Sequence, residues 1–350
     1  MRVQYLRCEW GLDNTRVSEF NLTDTGENTT REDEMKRVAL NNAAALAGAA
    51  VALLVTASLR AEPLYRDVAN TSHATPQVTS FFKSYFTAKS EHKPVPTTDH
   101  FSEAHLTYID AALGWPFYNK KGMTEIFEQF MPKWPPTGLS YPTRISGDMH
   151  SAVVAFTDTP ELFGGEIRIL AAIDFKDGKV VRCIDYWDGR SFGAELAAKM
   201  RTPPYKFPTN FDYDVASEGA SAKIKDMSQK LAAAFATGDA AAAGALFSDD
   251  AIYLDRALRA RILGKAAIGK YFARVLATIP FGKGSKLMHV VGSDQGGGFE
   301  WKNNASSVKR GIVAIDLNGE GQIERFDTTW DNSITSDADL QALVLQSIEK

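Results

Sequence analysis

One segment of the chain occurs twice, and this repeat constrains the fold more than any other feature of the sequence. Residues 178–189 read GKVVRCIDYWDG, and residues 321–332 read GQIERFDTTWDN. The two copies align at a single offset of 143 residues, which pairs Trp187 with Trp330 and Asp188 with Asp331. Solenoid repeats have periods of roughly 20–50 residues, so a period of this length indicates two copies of one domain.

The segments ahead of each copy repeat in the same order. In the first half, helical patterns in residues 78–89 and 122–131 flank a short strand, LTYID (106–110), and two strands then lead to a hairpin turn at Lys176-Asp177-Gly178. In the second half, the alanine-rich residues 225–239 and 240–250 read as helical, AIYLD (251–255) as a strand and 265–279 as a helix, and four strands follow. We therefore predict domain 1 at residues 72–200, a proline- and aromatic-rich linker at 201–221 and domain 2 at 222–335.

Composition excludes several classes of function. The 350 residues carry a formal net charge of −4, so there is no basic excess that would predict nucleic-acid binding. The two cysteines, Cys8 and Cys183, have no metal-ligand spacing, and the six histidines are scattered. We expect neither a metal nor another cofactor.

The N-terminal region predicts export. Met35-Lys36-Arg37 precedes an apolar, alanine-rich stretch with small-residue cleavage sites after Ala57 and Ala61, so residues 35–61 read as a signal peptide. The alternative is a membrane anchor at residues 38–57, which approach the length of a bilayer span. Residues 1–34 are polar and acidic, typical of a disordered extension or of a translation start misplaced upstream of Met35. We expect a periplasmic or secreted protein with no stable membrane insertion after cleavage.

The second half resembles a known superfamily. FATGDAAAAGALFSDDAIYLD (235–255) followed by ILGKAAIGKYFARVL (262–276) is similar to the first helices, first strand and third helix of nuclear transport factor 2-like proteins, among them ketosteroid isomerases and SnoaL-like cyclases. LTYIDAALG and GMTEIFEQF carry the same resemblance in the first half. It implies an α+β fold of two tandem cone-shaped domains, each with three helices packed on a curved antiparallel sheet. The superfamily includes enzymes, binding domains and assembly modules, so it predicts the fold better than the function.

The resemblance also implies roles for two aspartates. In the isomerase-like members, an aspartate at the end of the first strand is the general base, and the matching positions are Asp110 and Asp255. Burial in an apolar cone would raise the pKa of such a carboxyl toward neutrality. The alternative is that each aspartate simply caps its strand, a common use of this residue.

Alternation along the repeated strand gives a second set of candidates. Cys183, Asp185 and Trp187 share one face, because successive side chains of a strand point to opposite sides. The resemblance implies an aromatic pocket residue at Trp187 and an acidic catalytic residue at Asp185, which would face Asp110 across the cone. Two carboxyls in one apolar cavity tend to have different pKa values, so that one can act as an acid and the other as a base.

The matching face of domain 2 keeps the aromatic residue and lacks the acid: it consists of Phe326, Thr328 and Trp330. Two further residues of domain 1 are candidates for the pocket lining. Tyr108 shares a strand face with Asp110, and His150 heads a predicted strand, where it either lines the pocket or is partly exposed.

Three hypotheses follow. The first is a cofactor-free enzyme that isomerises, cyclises, dehydrates or hydrolyses a small hydrophobic substrate in domain 1, with Asp110 as base, Asp185 as acid or water-positioning group and Trp187 as a wall. The second is a non-catalytic protein that binds a small apolar ligand. The third, compatible with both, is a pseudo-dimer in which the two domains pack sheet to sheet within one chain.

Overall fold

The computed structural model describes residues 70–213 and 219–348. The chain divides into two compact units, and all of the described residues belong to the second, residues 62–350. The predicted signal peptide, the alternative membrane anchor and the acidic extension lie outside the described residues. None of the helices in the described ranges is long and apolar enough to span a bilayer.

The first half, domain 1, contains six α-helices and seven strands. The helices are α1 (Pro76–Ser90), α2 (Pro94–Thr98), α3 (Lys120–Phe130), α4 (Pro160–Phe163), α5 (Gly189–Phe192) and α6 (Ala194–Met200). The strands are β1 (His73–Ala74), β2 (Thr107–Asp110), β3 (Trp115–Phe117), β4 (Ser140–Gly147), β5 (Ser151–Asp158), β6 (Ile167–Lys176) and β7 (Lys179–Tyr186). A short 3₁₀ helix, Met131–Lys133, follows α3, and another, Pro204–Lys206, lies in the connector to the second half.

The second half, domain 2, repeats this order. Its helices are α7 (Ala222–Thr237), α8 (Ala240–Ala245), α9 (Lys265–Val275) and α10 (Asp337–Gln346), with a 3₁₀ helix at Asn332–Ile334. Its strands are β8 (Phe247–Asp255), β9 (Ala260–Leu263), β10 (Lys286–Ser293), β11 (Gly296–Lys302), β12 (Arg310–Leu317) and β13 (Ile323–Thr329). The expected helical continuation over residues 240–250 is wrong after Ala245, because Phe247 enters the sheet and pairs with Ile323 of β13.

The two sheets have the same strand order. Sheet 1 runs β1-β4-β5-β6-β7-β2-β3, and sheet 2 runs β10-β11-β12-β13-β8-β9. Both sheets are mixed, because the first long strand of each domain pairs in parallel with the last: β2 with β7, and β8 with β13. The repeated segment seen in the sequence therefore forms the equivalent strands β7 and β13. The tight β6–β7 turn at Asp177 and Gly178 has positive φ at both residues (51° and 73°), which is typical of a two-residue hairpin.

The first helix of each domain starts in the same way. The Thr75 hydroxyl caps α1 and the Ser221 hydroxyl caps α7, each accepting a bond from the backbone N–H three residues later. The backbone N–H of each capping residue donates to a glycine carbonyl of the same sheet, Gly147 on β4 at 3.1 Å or Gly292 on β10 at 3.0 Å. These contacts fix each helix over the inner face of its sheet. The space between α1, α3 and this face in domain 1 is called the cone of domain 1.

The outer faces of the two sheets pack against each other. Their apolar side chains form one buried cluster that includes Val153, Leu170 and Ile184 from domain 1 and Val291, Ile312 and Ala314 from domain 2. Burial of this surface is the main apolar contribution to joining the two halves.

A buried group of charges crosses the same interface. Arg182 has no solvent exposure, and its Nη2 lies 2.6 Å from Glu300 Oε2 of domain 2. Its Nη1 lies 3.4 Å from Asp174, and that carboxylate also lies 2.8 Å from Nε2 of His289. The Tyr186 hydroxyl donates a 2.6 Å hydrogen bond to the second Glu300 oxygen. Each charge is thus buried together with an opposite charge, which is what burial of ionised groups requires.

Candidate active site

The parallel pairing of β2 with β7 places the two predicted carboxyls side by side. Asp110 and Asp185 are direct neighbours in the register of these strands. They lie on adjacent strands of one sheet, and the expectation that they face each other across the cone is therefore wrong. The alternation of side chains is as predicted: Tyr108, Cys183 and Trp187 join the inner core of domain 1, whereas Ile109 and Ile184 join the cluster between the sheets.

Asp185 is the carboxyl that reaches the cone. It is 5% exposed, and its Oδ2 accepts a very short hydrogen bond from the Tyr108 hydroxyl. The Cys183 thiol, which is free, lies 3.5 Å from Oδ1. Burial raises the pKa of Asp185 to about 6, although the hydrogen bond from Tyr108 and the positive charge of Lys89 act to lower it. At neutral pH this carboxyl is therefore ionised and still basic enough to accept a proton.

A cavity of about 20 Å³ adjoins Asp185. A water molecule needs about 10–15 Å³, so the cavity has room for one. Its walls are aromatic: α1 contributes Phe81, Phe82, Tyr85 and Phe86, and Phe101, Tyr108 and Phe156 complete the ring of aromatic side chains. The site is thus an apolar enclosure, called the cone cavity, with a carboxylate in its wall.

Tyr85 belongs to this site and was missed by the candidates drawn from the sequence. Its side chain lines the cone cavity, and its hydroxyl forms no hydrogen bond with any residue that the structure describes. Burial raises the pKa of Tyr85 and of Tyr108 well above the usual value, and the negative charge of Asp185 raises both further. Both hydroxyls are therefore protonated donors at neutral pH. The aromatic face of α1 was visible in the sequence, but it did not indicate which of its rings would come near Asp185.

A buried ion pair lies beside the cavity. Lys89, at the end of α1, is 7% exposed, and its Nζ lies 2.9 and 3.1 Å from the two oxygens of Asp158. The same Nζ lies 5.0 Å from the centre of the Phe156 ring, which lines the cavity. Within the pair, the positive charge of Lys89 lowers the pKa of Asp185 and the negative charge of Asp158 raises it.

Asp110 does not line the cone cavity. Its Oδ1 accepts bonds from the backbone N–H groups of Ala112 (2.9 Å) and Leu113 (2.8 Å), and its Oδ2 accepts a 3.0 Å bond from Nε1 of Trp187. Burial nevertheless raises its pKa to about 7, and the charge of Asp185 adds to the rise. These three donors give Asp110 the strand-capping role that was the alternative in the sequence, and they tie the end of β2 to the residue that follows β7.

Similarity to known proteins is found among solved structures. No family model matches the chain, and no curated protein matches it in sequence. Among solved structures, it is similar to a steroid delta-isomerase from Pseudomonas aeruginosa, with 15% identity over 37% of this chain and 90% of that chain, at a TM-score of 0.30. It is also similar to a SnoaL-like protein of unknown function from Burkholderia thailandensis, with 12% identity over 31% of this chain and 95% of that one, at a TM-score of 0.28. An NTF2-like protein of unknown function from Mesorhizobium loti gives 11% identity, 33% and 98% coverage and a TM-score of 0.28.

Each match spans about one third of the chain, and similarity at this level assigns no role. In each half, helices accompany a mixed sheet in which the last strand pairs in parallel with an earlier strand, β2 or β8. This α+β architecture is the one that the resemblance in the sequence implied. The duplicated segment forms the last strand of the sheet in each half.

In domain 2, the residues at the equivalent positions are buried and pack against one another. Asp255 is the neighbour of Thr328 in the strand register, as Asp110 is of Asp185. Thr328 has no carboxyl group, and the Tyr253 hydroxyl donates a 3.1 Å hydrogen bond to Asp255 instead. Phe326 stacks on Tyr253 with ring centres 4.9 Å apart. The Nε1–H group of Trp330 donates a hydrogen bond to the side-chain oxygen of Asn332.

The predicted binding residues Asp255, Phe326, Thr328 and Trp330 are each no more than 2% exposed and line neither the cone cavity nor the larger cavity described below. Their packing and hydrogen bonds are those of a hydrophobic core. Neither of these two cavities therefore supports the prediction that the four residues bind substrate.

Two predicted pocket residues of domain 1 also lie elsewhere. His150 is exposed in the turn between β4 and β5 and lines neither cavity, because the turn projects it away from the inner face. Trp187 faces a larger cavity, of about 420 Å³, between the two domains. Within the described ranges, no group of three or more His, Cys, Asp or Glu side chains could hold a metal ion.

Proposed function

We propose that domain 1 is a cofactor-free acid–base enzyme for small hydrophobic molecules, and that Asp185 is its general base. The observation that carries this proposal is the Asp185 carboxyl, held by the Tyr108 hydroxyl in the wall of an aromatic cavity. A base works best when its pKa lies near the pH of the reaction, and the raised pKa of Asp185, about 6, meets this condition.

The reaction class is proton transfer at carbon. The Asp185 carboxylate removes a proton from a carbon next to a carbonyl group, and the electrons of the broken C–H bond form a C=C bond while the carbonyl oxygen becomes an enolate. The Tyr85 hydroxyl, which has no other partner among the described residues, donates a hydrogen bond to that oxygen. Return of the proton from Asp185 to another carbon gives isomerisation. Loss of a hydroxyl group, which takes that proton and leaves as water, gives dehydration. Attack of the enolate carbon on a second carbonyl, whose oxygen takes the proton, gives cyclisation. Each of these outcomes balances without a cofactor.

The substrate class is limited by size. A cavity of about 20 Å³ admits no organic molecule unless its walls move. Phe81 and Tyr85 are the candidates for movement, because both line the cavity and are only partly buried. We infer that rotation of these rings admits a compact apolar ketone or a similar carbonyl compound.

The test is proton exchange at carbon. The chain is incubated in D₂O with a panel of small hydrophobic ketones, and deuterium incorporation next to the carbonyl is followed by NMR. Asp185→Asn is expected to slow exchange by about 10²–10⁴-fold, the usual contribution of a general base. Asp185→Thr, which introduces the residue found at the equivalent position 328 of domain 2, is expected to slow exchange by the same factor.

Asp110→Asn is the matched control. It is expected to retain most of the exchange, because the Asp110 carboxyl does not line the cavity. Exchange that is lost in Asp110→Asn and kept in Asp185→Asn would show that the base is Asp110. Exchange at equal rates in the wild-type chain and in both Asp185 variants would remove the catalytic proposal.

The second candidate is a non-catalytic binding protein for a small apolar ligand, and the lining of the cone cavity, in which most side chains are aromatic, favours it. In that case Asp185→Asn retains ligand binding and the wild-type chain shows no exchange. For either function, we propose that the face-to-face packing of the two sheets replaces a homodimer interface, so that one chain forms a pseudo-dimer.

We further propose that the chain is exported through the segment at residues 35–61. N-terminal sequencing of the protein recovered from its host should then begin just after Ala57 or Ala61. A start at or before Met35 in the mature protein would refute export by cleavage.

A further inference from the structure

The larger cavity lies where three parts of the chain meet. Its walls come from the segment after β2 and from Trp187 in domain 1, from Phe207 in the connector, and from Arg310 and Asp331 in domain 2. Its volume of about 420 Å³ lies within the range of roughly 300–1,000 Å³ that is usual for small-molecule sites. It is called the interdomain cavity, and the proposed acid–base chemistry does not use it.

One charge in this cavity has no counterion. The Arg310 guanidinium lies between two aromatic rings, with its central carbon 4.6 Å from the centre of the Phe207 ring and 4.5 Å from that of Phe211. Among the described residues it has no carboxylate partner, and its Nη1 is buried without a hydrogen bond. A guanidinium held between two rings loses little conformational freedom when a ligand binds. It is therefore pre-organised to bind an anion through its planar set of donors.

The other charged residues of the wall already have partners. Arg201 is bonded to Asp331, to the Ser333 hydroxyl and to the Ala112 carbonyl. Lys309 is exposed, and its Nζ donates to the carbonyls of residues 304 and 306. The ammonium group of Lys309 thus already donates to two carbonyls, whereas Arg310 has a buried donor without a hydrogen bond.

The rest of the wall suits an apolar body. Pro204 and Ile334 are exposed and Phe207 is partly exposed, and all three line the cavity, so they can contact a flat ring. We propose that the interdomain cavity binds a small aromatic anion, a carboxylate or sulfonate, with its charged group on Arg310 and its ring against Phe207 and Ile334. The site depends on both domains and on the connector, so a ligand in it would hold the three together.

The probe pair is 1-naphthalenesulfonate and the neutral 1-naphthalenemethanol, measured by titration calorimetry on the full chain. We expect the sulfonate to bind and the neutral compound to bind more weakly. Arg310→Gln should weaken sulfonate binding by about tenfold or more, the usual loss for one charge-assisted hydrogen bond, and should leave binding of the neutral compound unchanged. Lys230→Gln, which removes an exposed positive charge on α7 outside the cavity lining, is the control and should bind like the wild-type chain.

A second variant keeps the test valid if Arg310→Gln fails to fold. Thr209 is an exposed residue of the connector that lines the cavity, so Thr209→Trp should fill the space and block the sulfonate while Arg310 stays in place. Asp185→Asn should bind the sulfonate normally, which separates this site from the cone cavity. Absence of sulfonate binding to the wild-type chain, equal affinity in Arg310→Gln, or unchanged binding in Thr209→Trp would each overturn the proposal.

Discussion

Replacement of Glu300 by glutamine tests whether the buried charges join the two domains. Glu300 Oε2 lies 2.6 Å from the guanidinium of Arg182, a residue with no solvent exposure. Glutamine has nearly the same shape and retains an oxygen for the Tyr186 hydroxyl, but it removes the negative charge. Arg182 would then have Asp174, at 3.4 Å, and the Phe211 carbonyl, at 2.8 Å, as its remaining partners.

The expected loss is large because the charge left behind is buried. Removing one partner of a buried ion pair costs about 3–5 kcal/mol, and the remaining contact with Asp174 places the expectation near the lower end of this range. Domains are stable by about 5–15 kcal/mol, so Glu300→Gln should lower the free energy of unfolding by a substantial fraction. Urea denaturation, followed by tryptophan fluorescence and by circular dichroism, measures this loss.

Asp226→Asn provides the control. Asp226 pairs with Lys230 at 2.7 Å on α7, but the two side chains are 61% and 59% exposed, and such pairs contribute about 0–1 kcal/mol. A loss in Glu300→Gln as small as that in Asp226→Asn would refute the reasoning, because it would mean that the Arg182 charge reaches water or does not need its partner.

Two further predictions concern stability. The folded-state pKa of Asp255 is raised to about 8, so its contribution to stability is complete below about pH 4, its unfolded pKa, and is lost as the pH rises through 8. Asp255→Asn cannot ionise and should reduce the fall in unfolding free energy between pH 4 and pH 8, by at most about 1.4 kcal/mol per pH unit; identical pH profiles in urea denaturation would contradict this. Gly292 has φ of +120°, and a Cβ there would lie 2.3 Å from the Cα of Gly297, so Gly292→Ala should destabilise the chain by about 2 kcal/mol or more. Gly269→Ala, in α9 with open space around it, should instead stabilise by up to about 1 kcal/mol, and similar melting temperatures for the two variants would refute this contrast.

The sequence by itself determined the duplication and the inner face of its repeated strand. Because strand side chains alternate with a period of two, spacing alone showed that Cys183, Asp185 and Trp187 share one face, and the resemblance implied that this face points inward. The same local logic predicted the hairpin at Asp177 and most of the helices. It failed where pairing with a distant strand overrode local preference, as at Phe247, whose alanine-rich surroundings favour a helix but which pairs with β13.

Only the tertiary structure decided which carboxyl is a candidate base. Asp110 and Asp185 occupy equally suggestive positions in the sequence, but the indole of Trp187, 77 residues from Asp110, and two backbone N–H groups engage Asp110, while Tyr108 holds Asp185 at the cavity wall. The interdomain cavity, likewise, is built from segments that are far apart in the chain. A residue's direction on its strand follows from local geometry, whereas its hydrogen-bond partners and its exposure depend on which distant segments pack around it.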